Sequence, residues 1–364
     1  MAGRDSAASG VAAPFGNVNG FIMRALRLVA EQQLELVEVA DPAPPGEGGV
    51  EIRVLAVAMN HIDVWGYRGM AFAKRKLPLV VGAEAVGEIA AVGAGVANLA
   101  VGQRVVMYGA HTCGHCASCR AGRDNLCENV GGVMGFHIDG FARERVVMPA
   151  RLVIPVPDGV STIHAACAAV TFSTVEHMLF DNARLRRGET ILVHAGGSGI
   201  GTAAITLAKA AGCLVITTVG GDAKGAKARA LGADHVINYR TERFENVVRK
   251  LTGKQGVDVV FEHTGADTWR GSLLSLRRGG RLVTCGATSG SMAEMNLMQL
   301  FQQQHRIIGS FGATIGNVGD GLQKMAIGLK PTIDAEAPIE EFGRFLERLR
   351  DRDVFGKLVV RIAS

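Results

Sequence analysis

From Thr190 onward, short apolar segments alternate with helix-forming ones, and this alternation constrains the fold more than any other feature of the chain. Thr190–His194 reads as a strand and Gly199–Ala211 as a helix. Leu214–Val219 and Ala223–Leu231 repeat the pair, then His235–Asn238 with Arg243–Leu251, and Asp258–Glu262 with Thr268–Leu276. Arg281–Cys285 with Leu297–Gln304 follows, and Arg306–Ser310 closes the series. Six strands joined by crossover helices predict a doubly wound parallel sheet of the Rossmann kind, in an α/β protein.

The first strand runs straight into Ala195-Gly-Gly-Ser-Gly-Ile-Gly201, and a helix follows at once. Glycines at a strand-to-helix turn let backbone amides approach a pyrophosphate, and the helix N-terminus adds partial positive charge. Gly196, Gly197, Ser198, Gly199, Ile200 and Gly201 are therefore expected to bind a dinucleotide, although Ser198 stands where a strict G-x-G-x-x-G has glycine. At the end of the second strand, where an acid would hold ribose hydroxyls, the chain has neutral Val219, then Gly220 and Gly221, with Lys224 close by. This favours NADPH over NADH, although Asp222 argues the other way.

Residues 23–150 have a different texture: short apolar runs between glycine turns, such as Val50–Ala56, Val86–Ile89 and Gln103–Met107. They predict a compact, largely antiparallel domain. A helix over Ile339–Arg350 and a strand over Lys357–Ile362 come after the Rossmann series, and the strand is expected to return to the first domain. Residues 1–22 are small and weakly polar and read as a flexible extension without a signal-peptide core.

Within this layout Cys113, Cys116, Cys119 and Cys127 crowd into one loop, four of the chain's seven cysteines. Four thiolates at that spacing suit a closed tetrahedral site, which predicts one structural zinc per chain. An odd cysteine total with one tight cluster argues against a secreted disulfide framework and for a reducing, cytoplasmic compartment. His111, His115 and His137 lie nearby and are redundant with four sulfurs, while Cys167, Cys213 and Cys285 sit in apolar contexts and read as core. A net charge of +5 with no basic, aromatic-interleaved run excludes a nucleic-acid binder. No apolar stretch approaches the roughly 20 residues of a membrane helix.

Taken together, Asn60-His-Ile-Asp63, Gly82-Ala-Glu-Ala-Val-Gly87, the four-cysteine loop, the glycine loop, Gly232-Ala-Asp-His-Val-Ile-Asn-Tyr239 and Phe355-Gly-Lys-Leu-Val359 resemble the medium-chain dehydrogenase/reductase superfamily from about residue 23 on. The resemblance implies a GroES-like catalytic domain over 23–157 and 316–364, with the zinc lobe at about 111–128, and a Rossmann domain over 158–315. It also implies a small-molecule substrate bound between the two, and homodimers or homotetramers pairing through the Rossmann sheet. By the same resemblance, Thr171 touches the nicotinamide end, Tyr239 and Lys224 the adenosine end, and Lys357 belongs with the cofactor contacts.

Departures from the pattern point to the chemistry. Asn60 stands where zinc alcohol dehydrogenases carry a cysteine ligand, Ala83 where they carry a histidine, and only Cys167 falls at a ligand position. Glu84 and Asp63 match positions that back up a metal ligand. One thiol cannot hold a catalytic zinc, so the reaction is expected to need no metal. A conjugated C=C or a quinone then suits the site better than a plain alcohol, because hydride addition gives a delocalised anion that hydrogen bonds can hold. Asn60, His61, Asp63, Trp65 and Thr171 are the candidate catalytic residues, with Asn60 as oxyanion donor and His61 or water as proton source. Trp65 occupies the tyrosine position of the metal-free relatives' N-x-x-D-x-Y-x-x-x-G motif and cannot itself protonate a carbanion. The alternatives are an alcohol or aldehyde dehydrogenase, and a low-turnover NADPH-binding sensor or structural protein.

Overall fold

The computed structural model describes residues 22–70 and 75–362. The extension read over residues 1–22 lies outside this range, except for Ile22, which opens the first strand. A hairpin of Ile22–Ala30 and Gln33–Ala40 pairs with the short strand Leu79–Val80. Beside it stands a seven-stranded sheet in the order Ile333–Pro338, Lys357–Arg361, Gly49–Ala58, Ala85–Val92, Arg104–Met107, Val153–Pro155, with Arg145–Pro149 also on Gly49–Ala58. Its strands alternate buried and exposed residues, as in Gly49–Ala58, where Val50, Ile52, Val54 and Ala56 have no accessible surface. That period of two fits a sheet with one face in the core.

The second sheet is parallel and has six strands, numbered here in chain order: β1 Thr190–Val193, β2 Leu214–Val219, β3 His235–Asn238, β4 Val257–Glu262, β5 Leu276–Thr284 and β6 Arg306–Gly309. Their spatial order is 3-2-1-4-5-6, the doubly wound order whose cofactor crevice opens at the carboxyl ends of β1 and β4. β5 begins at Leu276, five residues before the expected start. Its first residues pair with Val257 through an irregular register that absorbs Gly279 and Gly280.

The two sheets are joined by a helical segment over 162–182 and by the helix Ile315–Ala326, which pack on each other; Gly321 lies against Phe172. Neither was expected from sequence. The 162–182 segment contains two π-helical stretches, Ala168–Phe172 and His177–Asn182. In the first, the Phe172 amide bonds the Cys167 carbonyl, five residues back. No helix is long and apolar enough to cross a membrane among the described residues.

Candidate active site between the two sheets

Gly49–Ala58 delivers Met59 and Asn60 to the start of the helix His61–Arg68. Asp63 Oδ2 accepts the Asn60 amide at 2.7 Å and so fixes the first turn. The Asn60 side chain turns inward. Its Nδ2 donates to Ala58 O at 3.1 Å and to Glu84 Oε2 at 2.9 Å. Its Oδ1 accepts from Lys357 Nζ at 2.7 Å and lies 3.3 Å from Thr171 Oγ1.

Glu84 has no accessible surface and is the hub of this cluster. Oε1 accepts the Val170 and Thr171 amides, each at 2.7 Å, and Oε2 accepts from Asn60, from Thr171 Oγ1 at 2.9 Å and from Lys357 Nζ at 3.1 Å. Two consecutive amides are free to converge on one oxygen because the π-helical turn there widens the backbone, a distortion that recurs at functional sites. The third Lys357 bond goes to Met59 O at 2.6 Å. An amide group offers two donors and two acceptor lone pairs and an ammonium three donors, so Asn60 and Lys357 are both fully engaged. Both Asn60 donors are thus engaged within the cluster, and donating to a substrate oxygen would require one of these bonds to be released. The place of Asn60 is to hold the Lys357–Glu84 pair.

Cys167 is fully buried and its thiol is pushed up by desolvation, with Glu84 adding to the rise and Lys357 opposing it. Burial raises Asp63 to about 7. His61 and Trp65 are partly exposed and meet edge to face at 5.9 Å. Desolvation lowers His61 to about 4, helped by Arg352, by His263 at the carboxyl end of β4 and by Arg68. The imidazole is thus neutral at physiological pH.

The glycine loop leaves β1 with Ala195 at φ 44° and enters the helix Gly199–Ala210. Ser198 caps that helix, its Oγ accepting the Gly201 amide at 2.9 Å, so the departure from the glycine motif serves as the N-cap. A Cβ at Gly196 would sit 2.2 Å from Thr217 Oγ1, and one at Gly199 2.6 Å from Lys357 Cδ. The first helical residues, Gly199 and Ile200, present amides that have no acceptor within the helix. This is a cradle that only glycines allow, and it fits the pyrophosphate of a dinucleotide. Lys357, read from sequence as a cofactor contact, lays its stem along the loop while its ammonium is committed to Asn60, Glu84 and Met59 O.

At the other end of the crevice, Tyr239 Oη lies against Gly220, and Arg240 Nε is 3.5 Å from where a Gly220 Cβ would be. Asp222 Oδ1 accepts from Asn238 Nδ2 at 3.1 Å. Gly221 leads into the helix Asp222–Ala230 with nothing close to it. Lys224 lies over Gly197, donates to Arg352 O at 2.5 Å and is lowered by desolvation. The structure adds Arg240 to this site and makes Glu84, read from sequence only as backing a metal ligand, the hub of the buried cluster. Arg240 adjoins Tyr239 in sequence, but only the fold shows that it reaches Gly220.

The sulfurs of Cys113, Cys116, Cys119 and Cys127 all lie within 4.8 Å of one another. Cys113 and Cys119 sulfurs are 4.0 Å apart, against about 3.8 Å for the edge of a tetrahedron with ~2.3 Å zinc–sulfur bonds. Backbone amides already point at the sulfurs: Cys113 N at Cys127 Sγ, 3.2 Å, Cys116 N at Cys113 Sγ, 3.3 Å, and Cys119 N at Cys116 Sγ, 3.4 Å. The His115 amide and its neighbours lower Cys113 to about 6, whereas burial raises Cys119 to about 12. The donor set fits zinc. His115 Nδ1 is 3.0 Å from Cys113 O and His137 Nδ1 accepts the Val133 amide, so both Nδ1 atoms have backbone partners.

Residues 46–158 match the alcohol dehydrogenase GroES-like domain and residues 199–326 the zinc-binding dehydrogenase domain. An alcohol dehydrogenase of Geobacillus stearothermophilus is 31% identical over 92% of this chain and 98% of its own. The chain belongs to the medium-chain dehydrogenase/reductase superfamily. A quinone oxidoreductase of Salmonella typhimurium is 33% identical over 74% of each chain. Among solved structures, an NAD-dependent alcohol dehydrogenase superposes with a TM-score of 0.89 at 37% identity, covering 94% of this chain and all of that one. The GroES-like domain, the Rossmann domain and oxidoreductase activity are thereby those of this superfamily.

Proposed function

We propose that this chain is an NADPH-dependent reductase of an activated carbon–carbon double bond or a quinone, working without a metal at the reaction centre. The observation that carries the reading is the closed cluster of Asn60, Glu84, Lys357 and Thr171. At the position where metal-dependent relatives need ligands, this chain supplies an ammonium, an amide, Ala83 and a thiol held protonated by burial. A cation already bonded to Glu84 disfavours a second one beside it.

When bound, the nicotinamide cofactor supplies the hydride. The residues of the chain bind, orient and exclude water. The glycine loop and the Gly199 helix terminus take the pyrophosphate, and Lys357 and Thr171 fix the floor on which the nicotinamide end rests. His61 and Trp65, the partly exposed polar groups of the helix beside that floor, donate ring N–H hydrogen bonds to the substrate oxygen where charge develops. With His61 neutral, the proton that completes the reduction comes from water. Arg240 and Tyr239 lie against Gly220 and Lys224 over Gly197, and the two cations favour a 2′-phosphate, while one oxygen of Asp222 is bonded by Asn238. The four-cysteine lobe holds one zinc in a closed set of thiolates that substrate cannot reach. The likeness to a quinone oxidoreductase supports the reaction class.

The test is a panel of enoyl thioesters, quinones and primary alcohols followed by NADPH absorbance, with and without a chelator. Enoyl or quinone reduction that survives chelation is the expected result. Primary alcohols as best substrates, with a requirement for added zinc, would overturn the proposal. It would favour the second reading, an alcohol dehydrogenase, which rests on the alcohol dehydrogenases among the relatives. For the cofactor, Lys224→Ala and Arg240→Ala should each narrow the preference for NADPH by about tenfold or more, the cost of one hydrogen bond between charged groups. Equal dissociation constants for the two cofactors in the unaltered chain would refute it.

A further inference from the structure

We propose that the four-cysteine lobe latches the loop after the last Rossmann strand, so that losing the lobe's metal loosens Ser310–Asn317 as well as the lobe. This rests on the assignment of zinc to the four cysteines and concerns what that ion does at a distance.

Between the third and fourth cysteines lies a single 3-10 turn, Asp124–Leu126. Its side chains reach out of the lobe. Asp124 Oδ2 accepts the Ile315 amide at 3.1 Å, at the start of the helix Ile315–Ala326. Asn125 Nδ2 donates to Phe311 O at 2.8 Å and lies 3.2 Å from His177 Nε2. Tyr108, just ahead of the lobe, donates from its buried hydroxyl to Ala313 O at 2.5 Å. Residues 311, 313 and 315 are thus each fastened from the lobe side.

The opposite face of the latch is equally built. His177 Nδ1 is 2.9 Å from Asp181 Oδ2, which places the ring proton on Nδ1 and leaves Nε2 to accept from Asn125. Asp181 Oδ2 also accepts from Asn317 Nδ2 at 2.9 Å, and Asn182 Nδ2 donates to Ser310 Oγ at 3.0 Å. The loop is therefore held between the lobe and the 162–182 segment. Asn125, Leu126, Ser310 and Phe311 line an open cavity of about 510 Å³ together with Thr284–Ala287 at the end of β5. The carboxyl edge of a doubly wound sheet is where its ligands bind, so the latch fixes part of the wall at that edge.

A three-residue 3-10 turn has almost no hydrogen bonds of its own to hold it. It is anchored by Cys127, whose sulfur accepts the Cys113 amide and would bind the ion. Metal binding to such loops is coupled to their folding. Without the ion, Asp124 and Asn125 lose the backbone that aims them.

The experiment is amide hydrogen exchange on the full chain, with zinc content measured by elemental analysis. Two variants are compared with the unaltered protein: Cys127→Ser, and the double variant Asp124→Ala/Asn125→Ala, which keeps all four thiols. Both should speed exchange over 310–317 by about ten- to hundredfold, the effect of losing one or two hydrogen bonds. The double variant should do so with its zinc still bound, and exchange in β1 and β4 should not change. Faster exchange confined to 111–128 in Cys127→Ser, or unchanged exchange at 310–317 in the double variant, would overturn the latch. If Cys127→Ser fails to fold, the zinc-loaded double variant decides alone. Absence of zinc from the unaltered protein would overturn the underlying metal assignment, and elemental analysis reads that independently of exchange.

Discussion

Glu84 and Lys357 are 0% and 3% exposed at their side chains, and five hydrogen bonds converge on the carboxylate. Removing one member of such a pair leaves a buried charge without its counterpart, at a cost of about 3–5 kcal/mol. Glu84→Gln and Lys357→Met should each lower unfolding free energy by that order in urea titrations, and the double variant by much less than the sum. Losses below ~1 kcal/mol for the single variants would show that the pair is not what holds Asn60 in place. His61 gives a prediction in pH. Its folded value near 4 lies below the ordinary 6.5, so the unfolded chain binds more protons between those values and stability falls as pH drops from 6.5 toward 4. Above 6.5 the contribution is fully present. Histidine NMR of the cofactor-free protein should show a His61 midpoint near 4, and His61→Gln should remove part of the acid-side loss. A midpoint at 6.5 would contradict the desolvated setting described for this ring.

The elements of the Rossmann sheet were legible because each rule behind them is local. Strands of apolar β-branched residues alternate with helices, and all six are found within a few residues of their expected bounds. The helix Ile315–Ala326 was not legible, because Gly316, Gly319 and Gly321 depress its helix propensity. Its evidence is tertiary: Gly321 lets it close on Phe172, and Thr314 with Asn317 caps its start. The π-helical turn at Ala168–Phe172 leaves no sequence pattern at all, and with it went the hub role of Glu84. Asn60 is legible as a candidate site residue, but its bond to Lys357, nearly 300 residues away, is not. The N-cap at Ser198 makes a sharp test of the glycine loop. Ser198→Ala should cost about 0.5–2 kcal/mol of stability, and Ser198→Gly only a few tenths. Gly196→Ala should weaken cofactor binding strongly, because Thr217 Oγ1, held by Val193 O at 2.8 Å, cannot yield. Unchanged cofactor affinity in Gly196→Ala would remove the loop from the cofactor site.

At the scale of the whole molecule, the lobe and the reaction centre should fail separately. Elemental analysis of protein purified without added metal should find one zinc per chain, bound by Cys113, Cys116, Cys119 and Cys127. Cys116→Ser should lose it and melt at lower temperature, since folding of such loops is linked to the ion. Two zinc ions per chain, or one retained in Cys116→Ser at full stability, would contradict this assignment. The last strand of the chain binds the two sheets into one working unit. Gly356 donates its amide to Gly197 O at 2.9 Å, and Lys357 reaches Met59, Asn60 and Glu84 across 273 to 298 residues of sequence. A ribosome delivers the chain in one direction, so every other member of that cluster is synthesised long before its cation. Until residue 357 emerges, Glu84 lacks the cation that pairs with it in the folded chain, while all six strands of the Rossmann sheet are already made. The cluster therefore closes only after its other members have been made, when Lys357 joins it.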